Sequence, residues 1–220
     1  TEPESLQELS ARKTINLGTP KNNTSWQMPD LNLQNFTGNI YLSGIDNNFL
    51  KKKIGKNKFQ ISKVMSSPIV FEDKIILSDD IGTIYSITNR GKINWKRNIY
   101  KKLYKKIYKN LSYSVYKRAI YVSDNIGFVY AISLDSGEVI WLKNFHIPLK
   151  SKIKIFEDKI FLINQDNRVL CVDTKDGSKI WDIRSITSFI KTQNFLPLAI
   201  SKDGYLVTLV SSGDLMKIKS

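Results

Sequence analysis

The chain repeats one pattern that ends in tryptophan, and this repeat strongly limits the folds that it can adopt. Three of the four tryptophans stand at positions 95, 141 and 181, so consecutive copies are offset by 46 and 40 residues. A fourth copy starts near Pro197 and stops before its tryptophan. Repeats of about 40 to 50 residues with several short strands are typical of β-propellers.

Each copy contains short alternating or β-branched runs that are separated by turn residues, which predicts strands. A turn at residues 89–92 contains Gly91, which can take a positive φ, and Gly137 and Gly177 occupy the same turn in the next copies. We therefore predict an all-β protein, a β-propeller of four-stranded antiparallel blades in which stacked sheets bury each other. The number of copies predicts an incomplete ring of about four blades.

The same pattern divides the chain into two parts. Residues 1–38 form an N-terminal extension that we expect to be partly disordered, and residues 39–220 form the partial propeller, in which the region from Asn39 to Gly55 is expected to supply an outer strand. The expected repeat units are 66–99, 111–145, 151–185 and 196–220. Trp95, Trp141 and Trp181 are expected to be structural residues buried between sheets. An open arc also exposes apolar blade faces, which favours self-association.

The net charge of +14 leaves two interpretations open, an anionic partner or scattered lysines without a shared role. Nucleic acid is not expected as a partner, because the chain lacks a basic face interleaved with aromatic residues. Residues 100–109 concentrate charge and place apolar residues at helical spacing. This segment is expected to be either a connector packed on the propeller or a docking element, whose residues are Lys101, Lys102, Tyr104, Lys105, Lys106 and Tyr108.

Residues suited to catalysis are few. His146 is the single histidine, and Cys171 is the single cysteine and aligns with small residues of the other copies, which favours a core position. Aspartates at 79, 124 and 166 recur once per copy, which indicates turns rather than a cation site. We therefore expect no catalytic residue, no metal ligand and no cofactor-binding residue. The sequence also contains no apolar stretch of about 18 residues that would span a membrane.

The end of each copy resembles the PQQ-like propeller repeat, whose consensus is approximately G-x-[LVI]-Y-A-[LI]-D-x-x-T-G-K-x-x-W. The second copy, GFVYAISLDSGEVIW, matches it best and carries Gly127, Tyr130, Ala131, Gly137 and Trp141. The segments INQDNRVLCVD, LVSSGDLMKI and SWQMPDLNLQN are similar to regions of the BamB-type lipoproteins of Gram-negative bacteria.

This resemblance implies a non-catalytic, periplasmic scaffold that is associated with the outer membrane through a lipid anchor not present in this chain. Its implied partner is the barrel-forming subunit of the outer-membrane assembly machinery, and its implied role is to assist the assembly and insertion of β-barrel proteins. It implies no cofactor. The alternatives are a fragment of a PQQ-dependent dehydrogenase propeller, whose adjacent-cysteine pair the single Cys171 excludes here, and another binding or sensor propeller.

Overall fold

Four consecutive antiparallel sheets make up most of the protein. The computed structural model describes residues 17–30, 32–41, 50–59, 66–185 and 195–220. In each sheet, strands that are neighbours in sequence pair with each other, so each sheet is a simple meander. The innermost strands of consecutive sheets contact one another, which arranges the sheets as blades around an axis. The predicted incomplete β-propeller of about four blades is confirmed.

The strands are numbered along the chain, and within each blade they run from the inside outwards. A small parallel pair comes first, β1 (Lys21–Asn22) and β2 (Ile40–Tyr41). Blade 1 contains β3 (Ile69–Phe71), β4 (Lys74–Ser78), β5 (Thr83–Thr88) and β6 (Ile93–Asn98). Blade 2 contains β7 (Leu111–Tyr116), β8 (Ala119–Asp124), β9 (Phe128–Ser133) and β10 (Val139–Asn144). Blade 3 contains β11 (Lys154–Phe156), β12 (Lys159–Ile163), β13 (Arg168–Asp173) and β14 (Lys179–Arg184), and blade 4 contains β15 (Leu198–Ile200), β16 (Tyr205–Leu209) and β17 (Leu215–Lys219).

The turn between the second and third strands is closed by a side-chain oxygen in each complete blade. Asp79 Oδ1 accepts a hydrogen bond from the Thr83 N–H at 2.7 Å, and Asp124 Oδ1 accepts three such bonds from the backbone that follows it. In blade 3 this residue is Asn164. The alignment of Asp166 with Asp79 and Asp124 is therefore wrong by two positions, although the interpretation as a turn-forming position is supported.

The apolar core lies in three layers, one between each pair of consecutive blades. Ile76 is fully buried between blades 1 and 2, Leu162 between blades 2 and 3, and Phe161 between blades 3 and 4. Leu162 and Phe161 are adjacent on β12 and point to opposite faces, as the period of two in a strand requires. A central blade is therefore apolar on both faces, because both are covered by neighbouring sheets.

The tryptophan of each fourth strand contacts the next blade. The Trp95 indole Nε1 donates a hydrogen bond to the Leu134 carbonyl at 3.0 Å, and its ring lies on the Gly137 turn of blade 2. Gly137 has a φ of 70°, and a Cβ at this position would lie 2.6 Å from the Trp95 ring. Both the backbone conformation and the close approach of the ring therefore require glycine.

The same contact recurs between blades 2 and 3. The Trp141 Nε1 donates to the Thr174 carbonyl at 2.9 Å, and the ring lies on Gly177. Trp141 is 9% exposed, whereas Trp95 and Trp181 are half-buried. In the described part of the chain, no glycine turn lies over Trp181.

Gly91, in the corresponding turn of blade 1, is covered by the segment before the blades. A Cβ on Gly91 would lie 2.9 Å from Leu50 Cδ1, and Lys52 Nζ donates to the Gly91 carbonyl at 2.6 Å. Arg97 makes the matching bond to the Gly137 carbonyl, also at 2.6 Å. Leu50 and Lys52 therefore occupy the same positions relative to Gly91 that Trp95 and Arg97 occupy relative to Gly137.

The outer strand expected between Asn39 and Gly55 is seen in part. β2 lies at its start but pairs in parallel with β1 rather than with a blade. Residues 42–49 lie outside the described residues, and residues 50–59 cover blade 1 without forming a strand of their own.

Residues 25–30 and 32–36 contact the inner edges of all four blades, and we call this segment the inner strap. Trp26 pairs with Val70 of blade 1, and Leu33 accepts a backbone hydrogen bond from Ile200 of blade 4. Of its residues, 25–30 and 32–36 are described. The strap therefore lies along the axis side of the propeller, opposite the outer strands.

We expect Gly137→Ala to lower the free energy of unfolding by about 2 to 4 kcal/mol, because strain at positive φ adds to overpacking against Trp95. Gly213→Ala is the matched control, since Gly213 also has a positive φ, of 87°, but an added Cβ meets nothing within 4 Å. It should lose only about 1 kcal/mol. Urea denaturation measures both values, and equal losses would show that the tryptophan contact does not require glycine.

Candidate protein-binding interface

The repeat residues singled out from the sequence lie between the blades, not in one site. The structure brings Trp95 to Gly137 and Trp141 to Gly177, and it places Leu50 on Gly91. These contacts fix each blade against the next, so the residues have structural roles in this arrangement.

The basic segment differs from the helical stripe that its spacing predicts. Only Tyr104–Lys106 form a 3-10 helix, and Leu103 is 73% exposed instead of packed on the propeller. Three tyrosines and a lysine hold the segment in place, because Tyr100 and Lys109 are buried and Tyr104 and Tyr108 are half-buried. The four lysines that face solvent are Lys101, Lys102, Lys105 and Lys106.

Tyr100 is the main anchor of this segment. Its hydroxyl donates to Asp124 Oδ2 at 2.6 Å, and burial, with the nearby Tyr130 and Asp124, raises the pKa of Tyr100 well above its ordinary value. The Tyr104 ring packs edge-on against Phe128, with 5.3 Å between ring centroids. The segment is thus an anchored connector that presents lysines to solvent. This arrangement is compatible with a role as a connector and with a role as a docking element.

The two residues suited to catalysis lie apart. His146 is exposed, with a φ of 61°, in a turn closed by Asn144 Oδ1. Cys171 is fully buried on β13, and burial raises the pKa of its thiol to about 11. A thiol with such a pKa stays protonated at neutral pH and is a poor nucleophile.

The described residues form neither a metal site nor a membrane-spanning helix. Within residues 17–30, 32–41, 50–59, 66–185 and 195–220, no three His, Cys, Asp or Glu side chains come together as a metal site would require. Among the helical segments of the same ranges, none has the length and apolarity needed to cross a membrane.

A β-bulge precedes the tryptophan in every complete blade. Between Ile93 and Trp95 the ladder gains one extra residue, Asn94, and the bulge residues of blades 2 and 3 are Ile140 and Ile180. A bulge leaves its extra residue out of the ladder and bends the strand. The repeat therefore presents two isoleucines at equivalent positions on the outside of neighbouring blades.

These isoleucines belong to a larger set of apolar side chains on the fourth strands, which we call the outer apolar stripe. Ile140 is 55% exposed. The stripe consists of Ile93, Val139, Ile140, Leu142, Ile180 and Ile183. Among the described strands, β6, β10 and β14 each pair on one side only, so the stripe lies beside sheet edges that can accept another strand. Exposed apolar residues that recur beside open edges are typical of protein interfaces.

The inner edges of the blades are occupied by the inner strap through one repeated position. Val70, Val115 and Ile200 are equivalent residues of their innermost strands, each paired with the second strand in the same register. Their N–H groups donate to carbonyls of the strap at 2.9, 2.8 and 2.9 Å, respectively. The acceptors are Trp26, Gln27 and Leu33. The strap thus takes up backbone donors that face the propeller axis.

In blade 3 a lysine makes the contact with the strap. Lys154 is fully buried, and its Nζ donates to the carbonyls of Pro29 at 3.2 Å and Asn32 at 2.7 Å. Burial lowers the pKa of Lys154 from 10.5 to about 8, although Asp30 opposes this shift. The neighbouring Lys152 forms an ion pair with Asp30, with 2.7 Å between Nζ and Oδ1.

Sequence reasoning missed both the bulge residues and the strap. Ile140 and Ile180 did carry a signal, since both directly precede a tryptophan of the repeat. Lys154 also stood out as a cation within an apolar run that ends at Phe156. The strap gave no such signal, because its contacts join residues far apart in the sequence, for example Gln34 and Ile200, which are 166 positions apart.

Comparison with known proteins identifies the blade pattern. A family model described as "Outer membrane protein assembly factor BamB" matches residues 49–218. The chain belongs to this family. No curated protein sequence matches the chain significantly.

Solved structures of this family's fold resemble the protein at low sequence identity. BamB from Moraxella catarrhalis is 14% identical with a TM-score of 0.50, over 67% of this chain and 50% of that one. The quinohemoprotein alcohol dehydrogenase ADHIIG from Pseudomonas putida HK5 is 13% identical with a TM-score of 0.55, over 66% and 28%. The computationally designed Ika4 protein is 10% identical with a TM-score of 0.55, over 77% and 99%. The chain thus spans half or less of the two natural relatives, and these likenesses establish the shared propeller fold.

We expect the stability of the protein to depend on the protonation of Lys154. Below pH 8 the amine is protonated in both the folded and the unfolded chain, whereas between pH 8 and 10.5 mainly the unfolded chain keeps the proton. The unfolding free energy should therefore rise with pH in this window, by at most about 1.4 kcal/mol per pH unit from this group. Urea denaturation from pH 7 to 10 measures the rise.

Lys154→Met should remove this part of the rise, and the difference between the curves of the wild type and the variant isolates it from other titrating groups. Lys152→Met is the control, since it removes a neighbouring amine that is partly exposed. Parallel curves for Lys154→Met and the wild type would contradict the assignment.

Proposed function

We propose that the protein is a non-catalytic scaffold that binds a protein partner and assists the assembly and insertion of outer-membrane β-barrel proteins. Membership of the BamB family supports this proposal. The proposed location is the periplasm of a Gram-negative bacterium, at the outer membrane, as a lipoprotein. The proposed partner is the periplasmic repeat domain of the barrel-forming subunit, and no cofactor is required.

The observation that carries the proposal is the outer apolar stripe beside the open edges of the fourth strands. Ile140 and Ile180 stand on bulges, where the ladder is interrupted and the side chains face solvent. A partner can bury these isoleucines and also pair its backbone with β10 or β14, since strand addition to an open edge is a general mode of peptide recognition. Buried apolar side chains would supply the affinity, and the edge would set the orientation of the partner.

The double variant Ile140→Asp and Ile180→Asp should weaken binding of the barrel-forming subunit's periplasmic domain about tenfold or more, because each change places a carboxylate in an apolar contact. Asn94→Asp is the matched control, since it adds a carboxylate at the same bulge position of blade 1. It should bind like the wild type. Calorimetric titration of the purified domains gives the dissociation constants.

Two results would contradict parts of this proposal. Unchanged binding by the double variant would exclude the outer apolar stripe as the interface and leave the partner assignment standing. Absence of binding by the wild-type protein would reject the partner itself. Circular dichroism melts of the variants separate either result from unfolding.

The second candidate function is a PQQ-dependent dehydrogenase-type propeller, which is favoured by the likeness to the quinohemoprotein alcohol dehydrogenase. Titration with PQQ and calcium, followed by absorbance, separates the two candidates. The scaffold proposal expects no saturable change and no dye reduction with alcohols. Stoichiometric binding with turnover would establish the dehydrogenase instead. A propeller with another binding or sensor function would bind neither PQQ nor the barrel-forming subunit.

We also propose that the open arc self-associates. Leu209 and Leu215 lie on β16 and β17 and are exposed, and Val207 beside them is half-buried. Apolar side chains on a sheet face of this kind favour association in water. The net charge of +14 opposes it, so association should be stronger at higher salt.

A further inference from the structure

The inner edges of the four blades all contact the inner strap, whose backbone turns at residues 29–30 and 33–34 and has positive φ angles at Asp30 (61°) and Asn35 (57°). Three backbone N–H groups from equivalent positions and the Lys154 amine all donate to carbonyls of the inner strap. We propose that these edges form a groove that binds a polypeptide segment with this turned backbone, and that the inner strap is the chain's own occupant of this groove. The groove lies on the axis side and is separate from the outer apolar stripe.

Recognition in this groove is made mainly through the backbone of the occupant. Trp26 and Val70 exchange two hydrogen bonds, of 2.6 and 2.9 Å, as residues of paired antiparallel strands do. The Val115 and Ile200 N–H groups reach only carbonyl oxygens of the strap, which every residue type provides. The Gln34 and Asn35 side chains also donate to the Ile200 and Leu198 carbonyls, at 3.0 and 3.1 Å. The groove therefore fits segments that adopt the turned backbone of the strap and leave their carbonyls free.

One ion pair gives the groove a preference for the charge of its occupant. Asp30 of the strap forms its ion pair with Lys152 close to the buried amine of Lys154. Two lysine amines in the blade 3 part of the groove favour an acidic residue in the occupant. The expected ligand is therefore a polypeptide segment that turns at this place and carries an aspartate or glutamate there.

The strap is held weakly enough to be exchanged. Among its described residues only Pro29 is buried, and Trp26 is 39% exposed. A segment with few buried side chains opens locally at low free energy. An open cleft of about 730 Å³ beside the strap, lined by Trp26, Asp30, Asn35 and Val70 among others, leaves room for an incoming chain.

A disulfide that locks the strap tests the proposal on the full chain. Trp26→Cys with Val70→Cys, in a Cys171→Ala background, creates one pair at bridged positions, where Cα atoms about 5.5 Å apart suit a disulfide. The probe is a fluorescein-labelled peptide with the sequence of residues 24–36, TSWQMPDLNLQNF. The reduced protein should bind the probe, and oxidation should weaken binding about tenfold or more, because the strap then cannot leave.

A second peptide tests the preference for an acidic residue. With lysine in place of Asp30, the peptide should bind the reduced protein about tenfold more weakly, since it meets Lys152 with a like charge. Equal binding of the probe to the oxidised and reduced proteins would place its site elsewhere and overturn the proposal. Failure of the reduced protein to bind would show that the strap is a fixed part of the fold, which also overturns it.

Hydrogen exchange on the unmodified protein decides the question if the cysteine variant does not fold. The Val70, Val115 and Ile200 amides should exchange through local opening of the strap, faster than amides inside the ladder between β8 and β9. Exchange of all of them at one common rate, limited by global unfolding, would overturn the proposal. Because the outer-strand variants leave this groove intact, failure here does not bear on the proposed scaffold function.

Discussion

The contact between a tryptophan and the glycine turn of the next blade determines how the rest of the propeller is arranged. Trp95 on Gly137 and Trp141 on Gly177 set the spacing of consecutive sheets, and the apolar layers fill the space that results. The indole N–H donates to a carbonyl in each case, so the ring is oriented as well as buried. Because the contact joins neighbouring blades only, stability is expected to accumulate from one blade to the next.

Both edges of the blades matter for what the protein can bind. The inner edges meet the strap, whereas the outer edges of β6, β10 and β14 are open among the described strands. Bulges at the outer edges turn Ile140 and Ile180 towards solvent. A strictly alternating strand would expose fewer apolar side chains at this edge. The repeat that builds the fold therefore also repeats the surface that is available to a partner.

The features that could be predicted from the sequence are those that recur within a few residues. The alternation of apolar residues and the turn glycines indicated where the strands lie. The repeat also aligned Cys171 with small residues of the other copies, and the structure pairs Cys171 with Trp181. The basic segment was harder, because helical spacing at 100–109 competes with anchoring of Tyr100 to Asp124, which is a tertiary contact. The partners of the buried Lys154 are the carbonyls of Pro29 and Asn32, more than 120 residues earlier, and no local pattern can reveal them.

The position of the strap has a consequence for the order in which the protein folds. Trp26 meets Val70 in the first blade, while Leu33 meets Ile200 in the last, so a segment that leaves the ribosome before the blades needs the fourth blade to complete its contacts. Contacts between such distant parts of a chain form slowly, because loop closure must precede them. The strap is thus made first, but its docking is completed last. Until translation has passed the fourth blade, the strap cannot complete its contacts, and the nascent chain is more open to strand pairing with other polypeptides.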